Sequence, residues 1–341
     1  MNLQTAKEKM IDAKNSWRQA VRPYQNPDTR RSIWQLLNSL IPYLLLWGLM
    51  VWSLKISYVL TLLLAILAAG FMVRLFIIFH DCGHGSFFNS RKANNMVGYL
   101  TGIITFTPYF HWRHHHSIHH ATAGDLDRRG IGDVWTATVD EYLSFPRWKK
   151  LFYRLYRNPV IMFLLNPLLL FGIGQRFAGR QAKGRERASV YWTNLALLGI
   201  LVLAYFTIGL KAYFLVQLPI LWLGTAAGVW LFYVQHNFDG VYWARHNEWD
   251  FVNAGLEGSS FYQLPKVLQW FTGNIGFHHI HHLSPRIPNY LLERCHRENS
   301  IFHVKPVTLA TSLKSLTFRL WDENSRKLVN YRQMKAMQGV I

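Results

Sequence analysis

The sequence predicts an all-α membrane protein with four transmembrane helices in two hairpins and a cytosolic helical cap. Half of the 341 residues are hydrophobic, and four apolar runs reach the length of about 20 helical residues that a hydrocarbon core requires. Charged residues make up only 16% of the chain, yet its net charge is +19. Few charges of one dominant sign are typical of a membrane protein with basic loops. A nucleic-acid-binding protein would instead concentrate Lys and Arg on one polar face.

The first 32 residues are interpreted as a basic, partly helical cytosolic leader. They contain seven Lys and Arg and no apolar run, so we expect no signal peptide there. The two cysteines, Cys82 and Cys295, fit a reducing setting and offer no disulfide framework. After the leader we expect a first transmembrane hairpin at 33–79 and a cytosolic or interfacial region with two histidine clusters at 80–187. A second transmembrane hairpin at 188–235 and a cytosolic cap with the third cluster at 236–341 are expected to follow.

The first hairpin is predicted from two apolar runs, Ile33–Leu54 and Ile56–Phe79, with a minimal turn around Lys55. Arg74 lies near the end of the second run, where its long side chain is expected to snorkel to the headgroups. His80 follows about 9 Å further along a helix that rises 1.5 Å per residue. We therefore expect the first histidine cluster just outside the hydrocarbon, on a helix that continues out of the membrane.

Two shorter apolar segments, residues 96–110 and 159–174, are predicted to lie in the interface or inside the protein. The first is too short to span comfortably, and it joins two histidine clusters that must share one side of the membrane if they share metals. The second contains two prolines and Asn166, and five Lys or Arg lie on each side of it. Basic flanks on both sides favour the cytosol on both sides.

The second hairpin is predicted from Ala188–Ile208 and Ala212–Gln235, joined by a turn that contains Lys211. Of the 37 Lys and Arg, only Lys55 and Lys211 fall in the two turns predicted to lie outside. Because positive charge accumulates in cytosolic loops, we expect a cytoplasmic-membrane protein with both termini and all histidine clusters in the cytosol.

Three histidine-rich stretches predict a metal site: HDCGH at 80–84, HWRHHHSIHH at 111–120 and HHIHH at 278–282. His116, His119 and His120 have the i, i+3, i+4 spacing that places side chains on one face of a helix. His236 emerges from the fourth span on the same side of the membrane. Together with the HxxxH pair His80 and His84 and the HxxHH set His278, His281 and His282, these make nine imidazoles. Nine exceed the ligand set of one tetrahedral zinc and suit two metals with open positions. Iron, zinc, copper and nickel are all compatible with imidazole ligands.

The predicted spans contain no carboxylates, since no Asp or Glu occurs between Asp28 and Asp81 or between Glu186 and Asp239. Metal and proton transporters place ionisable groups at mid-membrane depth, so the absence disfavours that class. An all-histidine site at the cytosolic end of an apolar bundle is accessible to a lipid chain from the membrane and to a soluble electron donor from the cytosol.

FHDCGHGSFF, WRHHHSIHH and GFHHIHHLSP resemble the three histidine boxes of the membrane fatty acid desaturases. WRHHHSIHHATAGDLDRRGIGDVW and HHLSPRIPNYLLERCHREN are especially similar to the bacterial acyl-lipid desaturases, including the cold-induced Bacillus type. The resemblance implies a non-haem di-iron centre, dioxygen as co-substrate, and two electrons from a separate ferredoxin- or flavodoxin-like donor. It also implies insertion of a cis double bond into an acyl chain of a membrane lipid, at the fifth carbon, although related members act further along the chain.

Carried over residue by residue, the resemblance implies that the iron ligands are His80, His84, His116, His119, His120, His236, His278, His281 and His282. Hydrogen bonds to the outer ring nitrogens orient such ligands. The candidate partners are Asp81, Asp125, Asp239 and Asn274, each with helix capping or solvent contact as the alternative. The remaining histidines that carry no assigned role are His111, His114, His115, His246, His279, His296 and His303.

Two alternatives stay open at the level of sequence. A lipid, alkane or carotenoid hydroxylase or ketolase would use the same scaffold and the same first hydrogen abstraction. A membrane metal-binding or transport protein would instead bind zinc and would not depend on dioxygen. The basic patches fit anionic headgroups or an acidic donor protein, and the inside-positive topology explains them equally well.

Overall fold

The computed structural model describes residues 16–339, which are mainly helical. Four helices are long and apolar enough to cross a membrane: α1 (Thr29–Ser53), α2 (Tyr58–His84), α8 (Gly184–Thr207) and α9 (Leu210–His236). The shorter helices are α3 (Arg91–Ile104), α4 (Tyr109–Thr122), α5 (Val139–Ser144), α6 (Arg147–Tyr156), α7 (Asn166–Gly172), α10 (Phe251–Leu256), α11 (Lys266–Phe271), α12 (His278–Leu283), α13 (Asn289–Glu298), α14 (Leu309–Ser312) and α15 (Tyr331–Met337). The strands are β1 (Phe261–Gln263), β2 (Pro306–Thr308), β3 (Leu320–Asp322) and β4 (Lys327–Val329). The predicted helical membrane fold with four spans is confirmed, and the only strands in the described range are these four short ones.

The first hairpin begins and ends at residues that suit helix termini. Asp28 caps α1, because its carboxylate accepts hydrogen bonds from backbone N–H groups of the first turn. The hydroxyls of Ser53 and Thr61 lie 2.8 Å apart and join α1 to α2 beside the turn. α2 ends at Gly85, whose φ of 71° is a left-handed conformation that glycine adopts without steric cost.

α2 is the central helix of the bundle and packs against α1, α3 and α9. Within its most apolar stretch 56% of the residues are buried in the protein, against 22% in α1 and 17% in α8. Small residues allow this close packing: Ala65 and Ala68 are fully buried, and a Cβ added to Gly224 of α9 would lie 3.1 Å from the sulfur of Met72. The exposed, leucine-rich faces of α1 and α8 therefore form a surface suited to lipid.

Arg74 is buried in the bundle, with only 7% of its surface exposed. Its Nε donates to Ser39 Oγ at 3.1 Å, another guanidinium nitrogen donates to the carbonyl of Trp270, and the guanidinium carbon lies 3.9 Å from the centre of the Trp270 ring. The expectation that Arg74 snorkels to the headgroups is wrong. α11 packs against α2 at this depth, and its carbonyl and aromatic ring satisfy the cation inside the protein.

Neither of the two shorter apolar segments forms a straight span. Residues 96–110 form the end of α3 and the start of α4, where Val97 and Tyr109 pack into the core around α2. Residues 159–174 fall in the second half of a helix pair, Arg147–Tyr156 and Ile161–Arg176, bent by 57°. Such a bend indicates a broken span or a re-entrant loop.

We define the cap as residues 123–157 together with residues 237–339. Isolated backbone bridges join its two parts, Asp125 to Ala244 and Thr138 to Trp321. Within it, β1 pairs with β2 in parallel and β3 pairs with β4 antiparallel. The cap thus joins short elements from two parts of the chain beside the ends of α2 and α9 that carry histidines.

Residues 1–15 of the predicted leader lie outside the described residues. The part from residue 16 onward includes a helical turn at 16–21, and Trp17, Val21 and Tyr24 are buried in a common core with α12 and α13. This stretch therefore packs on the cap immediately before α1 begins.

Candidate metal centre

The histidine clusters lie at the ends of the elements that converge under the cap. His80 and His84 are one turn apart at the end of α2, and His236 is the last residue of α9. α4 carries the three histidines of the second box, and the short helix α12 carries those of the third box. Spacing of i and i+4 places each pair of histidines on one helix face.

Aromatic packing and one buried hydrogen bond position α4 against α2. Tyr109 is fully buried and its hydroxyl donates to the carbonyl of Cys82 at 2.6 Å. Trp112 stacks on the His116 ring, with centroids 4.3 Å apart, and its ring would lie 3.0 Å from a Cβ added to Gly83. A glycine at 83 therefore lets α4 approach the histidines of α2 closely.

Hydrogen bonds from the Gln235 side chain at the end of α9 and from the backbone of β1 position α12. Gln235 Nε2 donates to the carbonyl of Ile275 at 2.9 Å, and the backbone N–H of Tyr262 donates to the carbonyl of Gly276 at 2.7 Å. A Cβ added to Gly276 would lie only 2.3 Å from the carbonyl oxygen of Tyr262. Only glycine fits at 276, directly before the third box begins.

These elements bring all nine predicted site histidines together in two groups. In each group the potential ligand atoms lie within 4.8 Å of one another. Group 1 consists of His80, His84, His116, His120 and His281. Group 2 consists of His119, His236, His278 and His282.

The boxes do not correspond one to one with the groups. In the second box His116 and His120 belong to group 1, whereas His119 belongs to group 2. In the third box the pattern is reversed, since His281 belongs to group 1 and its two neighbours of the box to group 2. The shared helix face predicted for His116, His119 and His120 therefore does not place all three in one group. The i, i+4 pair faces one group and the residue between them is rotated toward the other.

Contacts between ring nitrogens fit metal coordination. The Nε2 atoms of His116 and His281 each lie 3.1 Å from that of His120 in group 1, and in group 2 the Nε2 atoms of His236 and His278 lie 3.0 Å apart. Two nitrogens bound at right angles to one metal, with bonds of about 2.1 Å, are separated by roughly 3.0 Å. The Nε2 atoms of His80 and His84 are buried and have no hydrogen-bond partner, which also fits a site for a cation.

The protein environment favours the neutral imidazoles that bind metals. Outside the spans, the pKa of the histidines in the two groups is lowered well below the ordinary value. The main cause is burial, and the charge of neighbouring imidazoles adds to it. The histidines concerned are His116, His120, His278, His281 and His282. Metal binding requires an unprotonated ring nitrogen. The histidines are therefore ready to act as ligands at neutral pH without first losing a proton.

Three of the nine rings have a partner at the outer nitrogen Nδ1. His119 donates to the carboxylate of Asp133, His80 lies 3.2 Å from Asp81, and His236 donates to the carbonyl of Gly258 at 3.3 Å. Such partners set the tautomer and the orientation of a ligand ring.

Among the four partners predicted from sequence, Asp81 is the one that contacts a site histidine. Asp125 instead bonds to Arg128 and His246, and Asp239 pairs with Lys314. Asn274 donates to the carbonyl of Asn289 and not to a site histidine.

Sequence reasoning missed Asp133 and Asn289. The backbone N–H and the Nδ2 of Asn289 donate to Asp81 at 2.7 and 2.9 Å, so Asn289 holds the carboxylate that contacts His80. Asp133 lies in the glycine-containing loop after the second box, and a carboxylate close in sequence to a ligand box was the available signal. Loop geometry, which sequence does not specify, decides that Asp133 reaches His119 while Asp125 does not.

The histidines without an assigned role lie outside both groups. His279 is fully buried but points away from its neighbours in the box, donating from Nε2 to the carbonyl of Phe302 at 2.9 Å. His111 and His115 pack against each other with centroids 4.6 Å apart, and His114 lies 3.9 Å from Glu186. Within residues 16–339 no further set of three or more metal-binding side chains converges.

A small cavity of about 30 Å³ lies beside group 2 on the side of the cap. Its wall includes Asp133, Phe232, His236, Asn237 and Trp243. This volume accommodates about two water molecules. The cavity therefore offers room for molecules of the size of water beside group 2.

Comparisons with known proteins agree with this architecture. The family model described as fatty acid desaturase matches residues 56–302, which include all nine histidines. A fatty acid desaturase of Bacillus subtilis is 50% identical over 316 residues, covering 92% of this chain and 90% of the relative. A ferredoxin-dependent sn-1 acyl-lipid omega-3 desaturase of Synechocystis is 27% identical over 238 residues, 64% of this chain and 62% of the relative. A chloroplastic, ferredoxin-dependent sn-2 acyl-lipid omega-3 desaturase of Arabidopsis thaliana is 30% identical over 237 residues, 64% of this chain and 50% of the relative.

Proposed function

The chain belongs to the fatty acid desaturase family, and we propose that it inserts a cis double bond into an acyl chain of a membrane lipid with dioxygen as co-substrate. The observation that carries this proposal is the pair of adjacent, largely buried, all-histidine groups at the end of an apolar bundle. The reaction takes two hydrogens from neighbouring carbons of the chain and two electrons with two protons from outside, and it reduces dioxygen to two water molecules.

Iron is the metal we propose for both groups. Group 1 has five imidazoles, which is more than the four ligands of a structural zinc, and group 2 has four. A catalytic metal must also keep a further position open for a reactant, so we propose an ion that takes more than four ligands. Two bound irons would supply the activation of dioxygen that removal of hydrogen from an unactivated methylene requires. The proposed ligands of one iron are the members of group 1, and those of the other are the members of group 2.

The chain's own residues hold and orient this centre. The neutral imidazoles present unprotonated Nε2 atoms, and the contacts of Asp133 with His119 and of Asp81 with His80 keep the Nδ1 atoms turned outward. Burial of the rings limits the access of bulk water to the reacting carbons. Placement of one carbon–carbon bond beside the centre is then the remaining requirement, since small misplacements reduce the rate strongly.

The finer features of substrate, donor and membrane are also proposals. The relatives named acyl-lipid desaturases support an esterified acyl chain, and those named for ferredoxin support a separate ferredoxin-like donor. A flavodoxin-like protein is the other donor that we propose. The fifth carbon is the proposed position of the new bond. The distribution of Lys and Arg supports a cytoplasmic-membrane location with both termini and the metal centre in the cytosol.

Expression in a bacterium that lacks desaturases, followed by gas chromatography and mass spectrometry of its lipids, tests the proposal. We expect oxygen-dependent monounsaturated chains, and the position of the bond tests the fifth-carbon assignment. Hydroxylated or keto products would identify the alternative oxygenase instead. A protein that binds zinc and forms no oxygen-dependent product with a donor supplied would contradict the desaturase proposal.

A matched pair of alanine variants tests the ligand assignment. His116→Ala removes a member of group 1, and we expect it to abolish activity and reduce the iron content. His111→Ala lies on the same helix but outside both groups, so its iron content should remain near that of the wild type. Metal analysis of the two purified variants distinguishes them, and equal losses would contradict the assignment.

A further inference from the structure

α6 is an amphipathic helix whose sequence, RWKKLFYRLY, divides into three faces. At about 100° per residue, Tyr153 and Tyr156 lie on one face with Lys149, whose ammonium lies over the Phe145 ring of the cap, and Arg147, Lys150 and Arg154 lie on a second. The third face consists of four large apolar residues at i, i+3, i+4 and i+7 spacing: Trp148, Leu151, Phe152 and Leu155.

The first face of α6 attaches the helix to the cap. Tyr153 is fully buried, and its hydroxyl accepts from the backbone N–H of Ala137 at 3.0 Å and donates to the carbonyl of Arg319 at 2.5 Å. The hydroxyl of Tyr156 accepts from the backbone N–H of Trp135 at 3.0 Å. These bonds determine which way the helix faces, so the apolar face cannot turn inward to be covered by the cap.

The apolar face is open, and the protein itself does not cover it. The exposed fractions are 71% for Trp148, 60% for Leu151, 56% for Phe152 and 49% for Leu155. In water such a contiguous apolar face is unfavourable, and it marks a surface that contacts a partner.

The open face continues into the membrane-facing surface of the bundle. After the bend the chain enters the apolar helix that begins at Ile161, where Val160, Leu164 and Leu165 are also exposed. That helix packs along α9: the indole of Trp222 donates to the carbonyl of Leu164 at 2.7 Å, and Phe163 packs against Tyr233. Since α9 is a membrane span, α6 lies where this apolar surface emerges from the bilayer.

The basic face of α6 has charge complementary to anionic headgroups. Arg154 donates to the Tyr142 hydroxyl and Lys150 to the carbonyl of Leu143. Within residues 16–339 no carboxylate forms an ion pair with Arg147, Lys150 or Arg154. A helix with one apolar and one basic face lies in the plane of the bilayer surface, with its apolar residues about 5–10 Å below the headgroups.

We propose that α6 docks on the bilayer on the side of the metal centre, with its apolar face among the acyl chains and its basic face on anionic phosphate headgroups. The bilayer is favoured over a protein partner because the open face is continuous with the lipid-facing surface. This contact of α6 then fixes the distance between the cap and the bilayer surface.

Site-directed spin labelling tests the docking. The two native cysteines are fully buried, so Leu151→Cys provides a single reactive thiol for a nitroxide, and Leu155→Cys provides a second position if the first variant loses metal. With one protein per nanodisc, we expect the label to be at least about threefold more accessible to oxygen than to a water-soluble nickel chelate, because it lies below the headgroups. Leu203→Cys on the lipid-facing side of α8 and Asn324→Cys on the exposed β3–β4 turn are the matched membrane and aqueous controls.

A label at 151 as accessible to nickel as the label at 324 would overturn the proposal. Protection that appears only with two proteins per disc, or only when an acidic donor protein is added, would also overturn it, because the face would then be a protein interface.

Headgroup preference is tested by comparing phosphatidylcholine discs with discs containing about one-third phosphatidylglycerol. We expect the anionic lipid to increase the oxygen-to-nickel ratio in the wild-type protein but not in the triple variant Arg147→Gln, Lys150→Gln, Arg154→Gln. A matched triple variant away from α6, Arg22→Gln, Arg297→Gln, Lys305→Gln, at exposed positions before α1 and around the end of α13, should behave like the wild type. An identical response in both triple variants would contradict the role of the basic face.

Discussion

At the scale of single residues, the environment of an imidazole decides its role more than its place in a histidine-rich run. His119, His278 and His279 show the difference. The first has its Nδ1 on Asp133 and its Nε2 toward group 2, and the second faces the same group. His279 is adjacent to His278 in sequence, but its Nε2 is bound to a backbone carbonyl on the opposite side of α12. A histidine box therefore contains both site histidines and structural ones.

The contact between Asp133 and His119 leads to a prediction at this scale. Asp133→Asn removes the charged acceptor that orients the ring, and loss of such a partner lowers metal affinity by about 10- to 100-fold. We expect the variant to lose metal from group 2 before group 1, so that titration with a chelator shows one weakened and one normal site. Asp239→Asn, whose carboxylate pairs with Lys314 on the surface, is the matched control. Equal chelator curves for the two variants would contradict an orienting role for Asp133.

At the scale of elements, helix geometry distributes the boxes between the two groups. On α4 and α12 the outer pair of an HxxHH sequence is one turn apart and faces one group, while the residue between them faces the other. Each of these helices therefore contributes histidines to both groups. α4 and α12 meet through their histidine rings, for example in the stack of His120 on His282 with centroids 4.1 Å apart. Loss of either box is therefore expected to disturb both groups.

Double variants test this distribution. His116→Ala with His281→Ala removes two residues of group 1 that belong to different boxes, and we expect metal content to fall toward half. His278→Ala with His281→Ala removes two residues of one box that belong to different groups, so both sites are impaired and metal content should fall further. Metal analysis of the purified proteins gives the comparison. The opposite ranking would show that ligands are shared by box and not by group.

At the scale of the whole molecule, the protein buries many neutral histidines, and this couples its stability to pH. His279 is the clearest case outside the two groups: burial, followed by the charge of His296, lowers its pKa to about 3. In the unfolded chain its pKa returns to about 6.5. Below that pH the unfolded chain binds a proton that the native protein does not, so this stability is fully present above pH 6.5 and is lost as the pH falls toward 3.

We therefore expect His279→Gln to make stability less dependent on pH. Glutamine keeps an N–H donor for the carbonyl of Phe302 but cannot titrate, and one proton corresponds to a slope of at most about 1.4 kcal/mol per pH unit. Thermal unfolding of the metal-free protein between about pH 7 and pH 5 measures the slope without a contribution from metal release. The variant should lose less stability than the wild-type protein over this range. Identical slopes would contradict the prediction.

Much of this architecture follows from the sequence alone. Apolar length and the absence of acids determine the four spans, because an uncompensated charge in hydrocarbon is unfavourable. The order of the histidine boxes indicates a metal centre and the family, since few other side chains bind these metals at that spacing. The length of the fourth apolar run also places His236 on the same side of the membrane as the histidine clusters, because His236 directly follows that run.

Only the tertiary structure decides how these pieces meet. It divides the nine histidines between two groups, assigns Asp133 to His119, buries Arg74 against Trp270, and leaves one face of α6 open. The physical reason is the same in each case. Spacing along a chain specifies which side chains share a helix face, but the rotation of that helix and the course of a loop are set by packing between elements that are distant in sequence.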